Sequence, residues 1–124
     1  MNGTVKEWLD KAEGDFHTAL REMKAIESPN FDAVCFHAQQ CVEKLMKALM
    51  IERQTIPPKT HDLLQLNHSL VPLYSGWTWP EEELCFLTRS SIDFRYPGET
   101  ADFDEAKTAL DIAAKMRGKL LSFI

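Results

Sequence analysis

Three groups of polar residues have types and spacings that could do chemistry. His37, Gln40 and Lys44 recur at intervals of three and four, so on a helix they share one edge, while Gln39 and Glu43 project from the other. Such residues also make ordinary solvated edges and i,i+4 pairs, of which Glu43 with Lys47 is one. The second group is the run Arg89-Ser90-Ser91-Ile92-Asp93-Phe94-Arg95-Tyr96-Pro97-Gly98. Arg89 and Asp93 share a helical face, and Arg95 and Tyr96 fall where the chain must turn into Pro-Gly. A guanidinium and an aromatic ring held beside a loop suit phosphate and base recognition; the alternative is an intrahelical ion pair followed by a helix stop. The third is His61, at a helix start where the dipole disfavours a charged imidazole. It either meets a ligand or hydrogen-bonds its loop.

Other chemistries find less support. His61 and His68 lie seven apart with no third ligand nearby, and His37 with Cys41 has a spacing zinc accepts but lacks a ligand set. We therefore expect no metal and no cofactor. No Gly-x-Ser-x-Gly, glycine-rich loop after a strand, or P-loop occurs, so no catalytic residue is assigned. Cys35, Cys41 and Cys85 are odd in number and form no CxxC pair; they read as small buried hydrophobes in a reducing compartment. No signal peptide or membrane span is evident, which points to the cytoplasm. The formal charge of −5 and the lack of a Lys/Arg run argue against non-specific nucleic-acid binding.

The elements that must position these residues are helices. The 124 residues, 44% hydrophobic and 27% charged, suit a single domain spanning 1–124. Val5, Trp8, Ala12, Phe16, Ala19, Met23 and Ile26 stripe a helix from about Thr4, its cap, to Glu27, with Asp15 and Glu22 on one flank. A second runs from about Phe31 to Arg53, capped by Asn30, with the broadest stripe in the chain. The short connection makes these two an antiparallel hairpin. Thr60 caps a third helix ending near Pro72. Pro80 at a first helical position and three glutamates start a fourth, bearing Leu84, Phe86, Leu87, Ser91 and Ile92. Asp102 with Glu105 forms a capping box for the fifth. The fold expected is an all-α, up-and-down bundle of about five helices.

Taken together, four segments resemble a HEPN domain. They are Trp8-Leu9-Asp10-Lys11-Ala12-Glu13-Gly14-Asp15, the run Phe36 to Leu49, Thr60-His61-Asp62-Leu63, and Asp93-Phe94-Arg95-Tyr96-Pro97. The resemblance implies a HEPN-like helical bundle, usually a homodimer, often encoded beside or fused to a minimal nucleotidyltransferase. It is also similar to the helical domain of kanamycin nucleotidyltransferase. The expected function is a HEPN-type module that binds a nucleotide, a nucleotidyltransferase partner, or both, in a setting like that of toxin–antitoxin pairs. The working surface then comprises His37, Lys44, Arg89, Asp93, Arg95 and Tyr96, with Asp15 and His61 in support. Arg89, Arg95 and Lys44 would meet phosphate, Tyr96 would stack on a base, and Asp93 would orient Arg89.

Another branch of the family consists of ribonuclease toxins, whose motif is an Arg followed four to six residues later by His. Arg89 matches, but the window holds Phe94, Arg95 and Tyr96 and no His. Proton transfer loses its usual carrier, and an arginine stays protonated. A toxin ribonuclease would need a non-standard site around Arg89 and Tyr96. A third alternative is a scaffolding bundle that uses Trp77 and Trp79 as its contact patch.

Overall fold

Asn30 sets the start of the central helix: its side chain accepts a hydrogen bond from the Ala33 N–H, satisfying a donor that the helix cannot pair internally. From there α2 runs Phe31–Glu52. A computed structural model describes residues 3–124, in which α1 is Gly3–Met23, α3 Leu63–Leu70, α4 Glu81–Asp93 and α5 Phe103–Leu121. A short 3₁₀ turn, Val71–Leu73, follows α3. The described residues form an all-α bundle with no strand.

The position of α2 follows from its sequence. Apolar residues occupy so much of its circumference that one neighbour could not cover them. It packs against α1, α5, α4 and α3. Leu45, Met46, Leu49 and Met50 are wholly or almost wholly buried, each such side chain contributing about 1.5–3 kcal/mol relative to exposure. Ala12, Phe16 and Ala19 of α1 and Ala106, Ala109, Ala113, Met116 and Leu120 of α5 close over it. The small alanines let these helices approach closely. Asp102 and Glu105 make the reciprocal capping box at the start of α5.

Several element ends differ from the expected ones. The first helix stops at Met23, and Ile26 is 97% exposed instead of joining the stripe. The reason lies in the turn. Lys24 N–H is shared between the Leu20 and Arg21 carbonyls, Ser28 adopts a positive φ of 45°, and the Asn30 N–H donates to the Glu22 carboxylate at 2.6 Å. The chain thus reverses early to reach the Asn30 cap. Thr4 lies inside the first turn of α1 and is not its cap. At α3 the cap is Asp62, which accepts from Leu64 N–H, whereas Thr60 accepts from Asp62 N–H one step upstream. Pro80 is the residue before α4, not its first. Ile92 is 44% exposed and lies off the apolar face.

Trp77 is 3% exposed, stacked on Trp79, with its Nε1–H donated to Asn67 Oδ1 at 2.7 Å. That buries half of the contact patch a scaffold would use. Tyr74 and Phe123 complete this aromatic end of the core.

Candidate functional site

Asp15 of α1 lies between two side chains of α2. His37 Nδ1 is 2.7 Å from Asp15 Oδ1, and Lys44 Nζ donates to Asp15 Oδ2 at 2.5 Å. A carboxylate only accepts, so the imidazole Nδ1 carries the proton in this bond. The seven-residue spacing that places His37 and Lys44 on one edge of α2 thus meets a single carboxylate opposite. All three side chains are largely covered, and the group fastens the α1–α2 seam. Burial, with Glu13 and Asp15 nearby, pushes the Cys41 thiol up to about 12, so it stays protonated. Among the described residues no group of three or more His, Cys, Asp or Glu could hold a metal ion.

The other edge of α2 is not solvated. Gln39 is fully buried and Glu43 is 3% exposed. Glu43 accepts from Gln39 Nε2 at 3.0 Å, Lys47 Nζ at 3.1 Å and His61 Nδ1 at 3.0 Å. Gln39 Nε2 also donates to the His61 carbonyl at 2.9 Å. α2 thus grips the loop at His61 by ring and by backbone. Burial alone would raise the Glu43 carboxyl, but the bonds from Gln39, His61 and Lys47 and the Lys47 charge outweigh it and hold the group below its ordinary value. Gln39 and Glu43 were the signal within reach: a stripe broad enough to meet several neighbours leaves little solvated edge.

The other candidates gather on α4. Arg95 leaves the end of α4 and folds back, its Nε–H donated to the Ser91 carbonyl at 3.0 Å and its guanidinium 5.1 Å over the Phe36 ring of α2. Between α2 and α4 lies an open hollow of about 470 Å³ whose lining includes Asp32, Phe36, Ser91, Phe94 and Arg95. Tyr96, the next residue, is 61% exposed. Gly98, at a φ of 96°, turns the chain toward α5. Arg89 and Asp93 are both exposed and line the same small hollow of about 190 Å³ with Phe86, Phe94 and Glu105. The expected ion pair between them is not formed among the described residues; Arg89 keeps its donors free.

The eight candidate residues consequently fall on different sides of α2 and do not line one cleft. His37, Lys44 and Asp15 lie on the α1 side, His61 at the loop before α3, and Arg95 on the α4 side. Along α2, Lys44 is eight residues beyond Phe36, about 12 Å of helical rise. No helix among the described residues is long and apolar enough to cross a membrane.

The bundle has counterparts among known proteins. The family model of the HEPN domain matches residues 5–122. TT1696 from Thermus thermophilus has a similar structure, with a TM-score of 0.80 and 22% identity over 99% of this chain and 100% of that one. ST0689, an archaeal HEPN homologue, superposes with a TM-score of 0.68 and 19% identity over 95% of each chain. No curated protein matches the sequence. A family match across almost the whole length, on the fold the helices form, leads to one conclusion: this chain belongs to the HEPN domain family.

Proposed function

We propose that the protein is a binding module: a dimeric HEPN bundle that binds a nucleotide, a minimal nucleotidyltransferase, or both, and carries no catalytic residue of its own. The supporting observation is the placement of Arg95. Its guanidinium lies over Phe36 at the wall of an open hollow, and its Nε is spent on Ser91 while the terminal nitrogens keep their donors. A pre-set guanidinium beside aromatic rings suits a ligand with both a phosphate and a planar base. In this reading Arg95 and Arg89 meet phosphate, and Tyr96 stacks from the rim. Asp93 shares the Arg89 hollow and orients it only once a ligand is present. Asp15, His37 and Lys44 hold the α1–α2 face, where a protein partner would rest, and His61 fixes the neighbouring loop.

Ribonuclease chemistry is the weaker reading. The segment after Arg89 offers no imidazole, and Arg95 cannot take up a proton.

Isothermal titration of the folded protein against a nucleotide panel and a short nucleotidyltransferase tests the proposal. Saturable binding to at least one is expected. A well-folded preparation that binds neither would reject it.

A further inference from the structure

Resting on the nucleotide-binding reading, we infer that the hollow between α2 and α4 is a seat for guanine, with Asp32 as the residue that selects the base. Asp32 stands in the first turn of α2. One carboxylate oxygen, Oδ1, accepts the Ala101 N–H at 2.7 Å from the segment leading into α5, which fixes the orientation of the group. The other oxygen accepts nothing from the described residues, and Asp32 lines the hollow.

The remaining polar groups of the lining are mostly committed. Ser91 Oγ donates to the Thr88 carbonyl at 2.8 Å. Asn30 uses its oxygen to cap α2 through Ala33 N–H, which leaves its amide nitrogen as a donor. Arg95 keeps its terminal nitrogens. The lining of the hollow thus includes a carboxylate with one oxygen unpaired among the described residues, a neighbouring amide donor, and the rings of Phe36 and Phe94.

A planar base placed against those rings is read by its edge. Guanine offers an acceptor followed by two adjacent donors, N1–H and the 2-amino group. Those donors answer a carboxylate, which has acceptors only, through the unpaired oxygen and the second lone pair of Oδ1, and the carbonyl answers the Asn30 amide. Adenine and cytosine place an acceptor beside their amino donor, and uracil flanks its single N–H with two carbonyls. Each would leave the Asp32 oxygen facing a lone pair, or meeting one donor where guanine brings two. A fixed acceptor discriminates most strongly against the analogue that lacks the matching donor.

Isothermal titration of the full chain with GMP, IMP, AMP and UMP tests this. IMP differs from GMP by the 2-amino group alone. GMP is expected to bind about tenfold or more tightly than IMP, AMP or UMP, the effect of one hydrogen bond to a charged acceptor. Asp32→Asn keeps an oxygen for the Ala101 N–H and should erase the preference, with only a modest fall in melting temperature as the charge at the start of α2 is lost. Equal binding of the four, or a preference that survives in a folded Asp32→Asn, overturns the assignment of guanine and leaves nucleotide binding standing. Binding of none of them to the wild-type chain overturns both. Should Asp32→Asn fail to fold, the wild-type ranking alone decides.

Discussion

The Glu43 carboxylate of α2 accepts a hydrogen bond from His61 Nδ1, eighteen residues further along, at 3.0 Å. Because Gln39 Nε2 also holds the His61 carbonyl, the loop between α2 and α3 is fastened at one residue by two buried side chains. Removing the carboxylate would strand three donors at once. Glu43→Ala is expected to cost about 3–5 kcal/mol in urea unfolding, as for the loss of one partner from a buried ionic group. Glu43→Gln, which still accepts through one oxygen, should cost less, about 1.5–3 kcal/mol.

The same group makes stability depend on acidity in a defined direction. Its carboxyl is held below the ordinary value of 4.5, so between the two values the unfolded chain binds the proton more readily than the folded one. The contribution is therefore fully present above 4.5 and is lost as pH falls through the depressed folded value. Urea midpoints measured from about pH 7 down to about pH 3 should fall more steeply for the wild type than for Glu43→Gln. Parallel profiles would contradict the hydrogen-bonded carboxylate.

Trp77 gives a second stability prediction, in the aromatic part of the core. Its ring is stacked on Trp79 at 5.6 Å between centroids, and its N–H reaches Asn67. Trp77→Ala should destabilise by about 3–5 kcal/mol. Asn67→Ala leaves the ring in place but strips the buried N–H of its acceptor, for about 1–3 kcal/mol. Thermal melts of the two variants check the order. A Trp77→Ala protein as stable as the wild type would return that ring to the surface role that its burial excludes.

These residues also show what a sequence can and cannot convey. The Asn30 and Asp102 caps were legible because a cap is a local device, settled within four residues. Ile26 misled because periodicity continues past the point where the tight turn and the Glu22–Asn30 bond end the helix. Within α2, the spacing of His37 and Lys44 placed them on one edge but did not say which helix would answer. Asp15 does, from α1, so two side chains expected to face a ligand are engaged across a seam. Gln39 and Glu43 misled in the other direction. A polar residue on a helix edge is solvated only if no neighbour covers it, and α2 is covered on several sides.

The separation of the candidates around α2 yields the test that discriminates best among them. If the hollow beside Arg95 is the ligand seat, Arg95→Ala removes a guanidinium that makes no ion pair among the described residues, and its effect should appear in binding more than in stability. Nucleotide affinity is expected to fall about tenfold or more, the range for a hydrogen bond to a charged group. Arg95→Lys should recover little, because an ammonium cannot stack on Phe36 or present a planar fork. Tyr96→Ala should weaken binding as well, with melting unchanged, since the ring is exposed. Lys44→Ala should do the reverse, lowering the melting temperature by releasing Asp15 while leaving nucleotide affinity close to wild type. Titration calorimetry and thermal melts on the same four proteins separate the outcomes. Loss of affinity in Lys44→Ala with none in Arg95→Ala would move the ligand to the α1 side of the bundle, where Asp15, His37 and Lys44 meet.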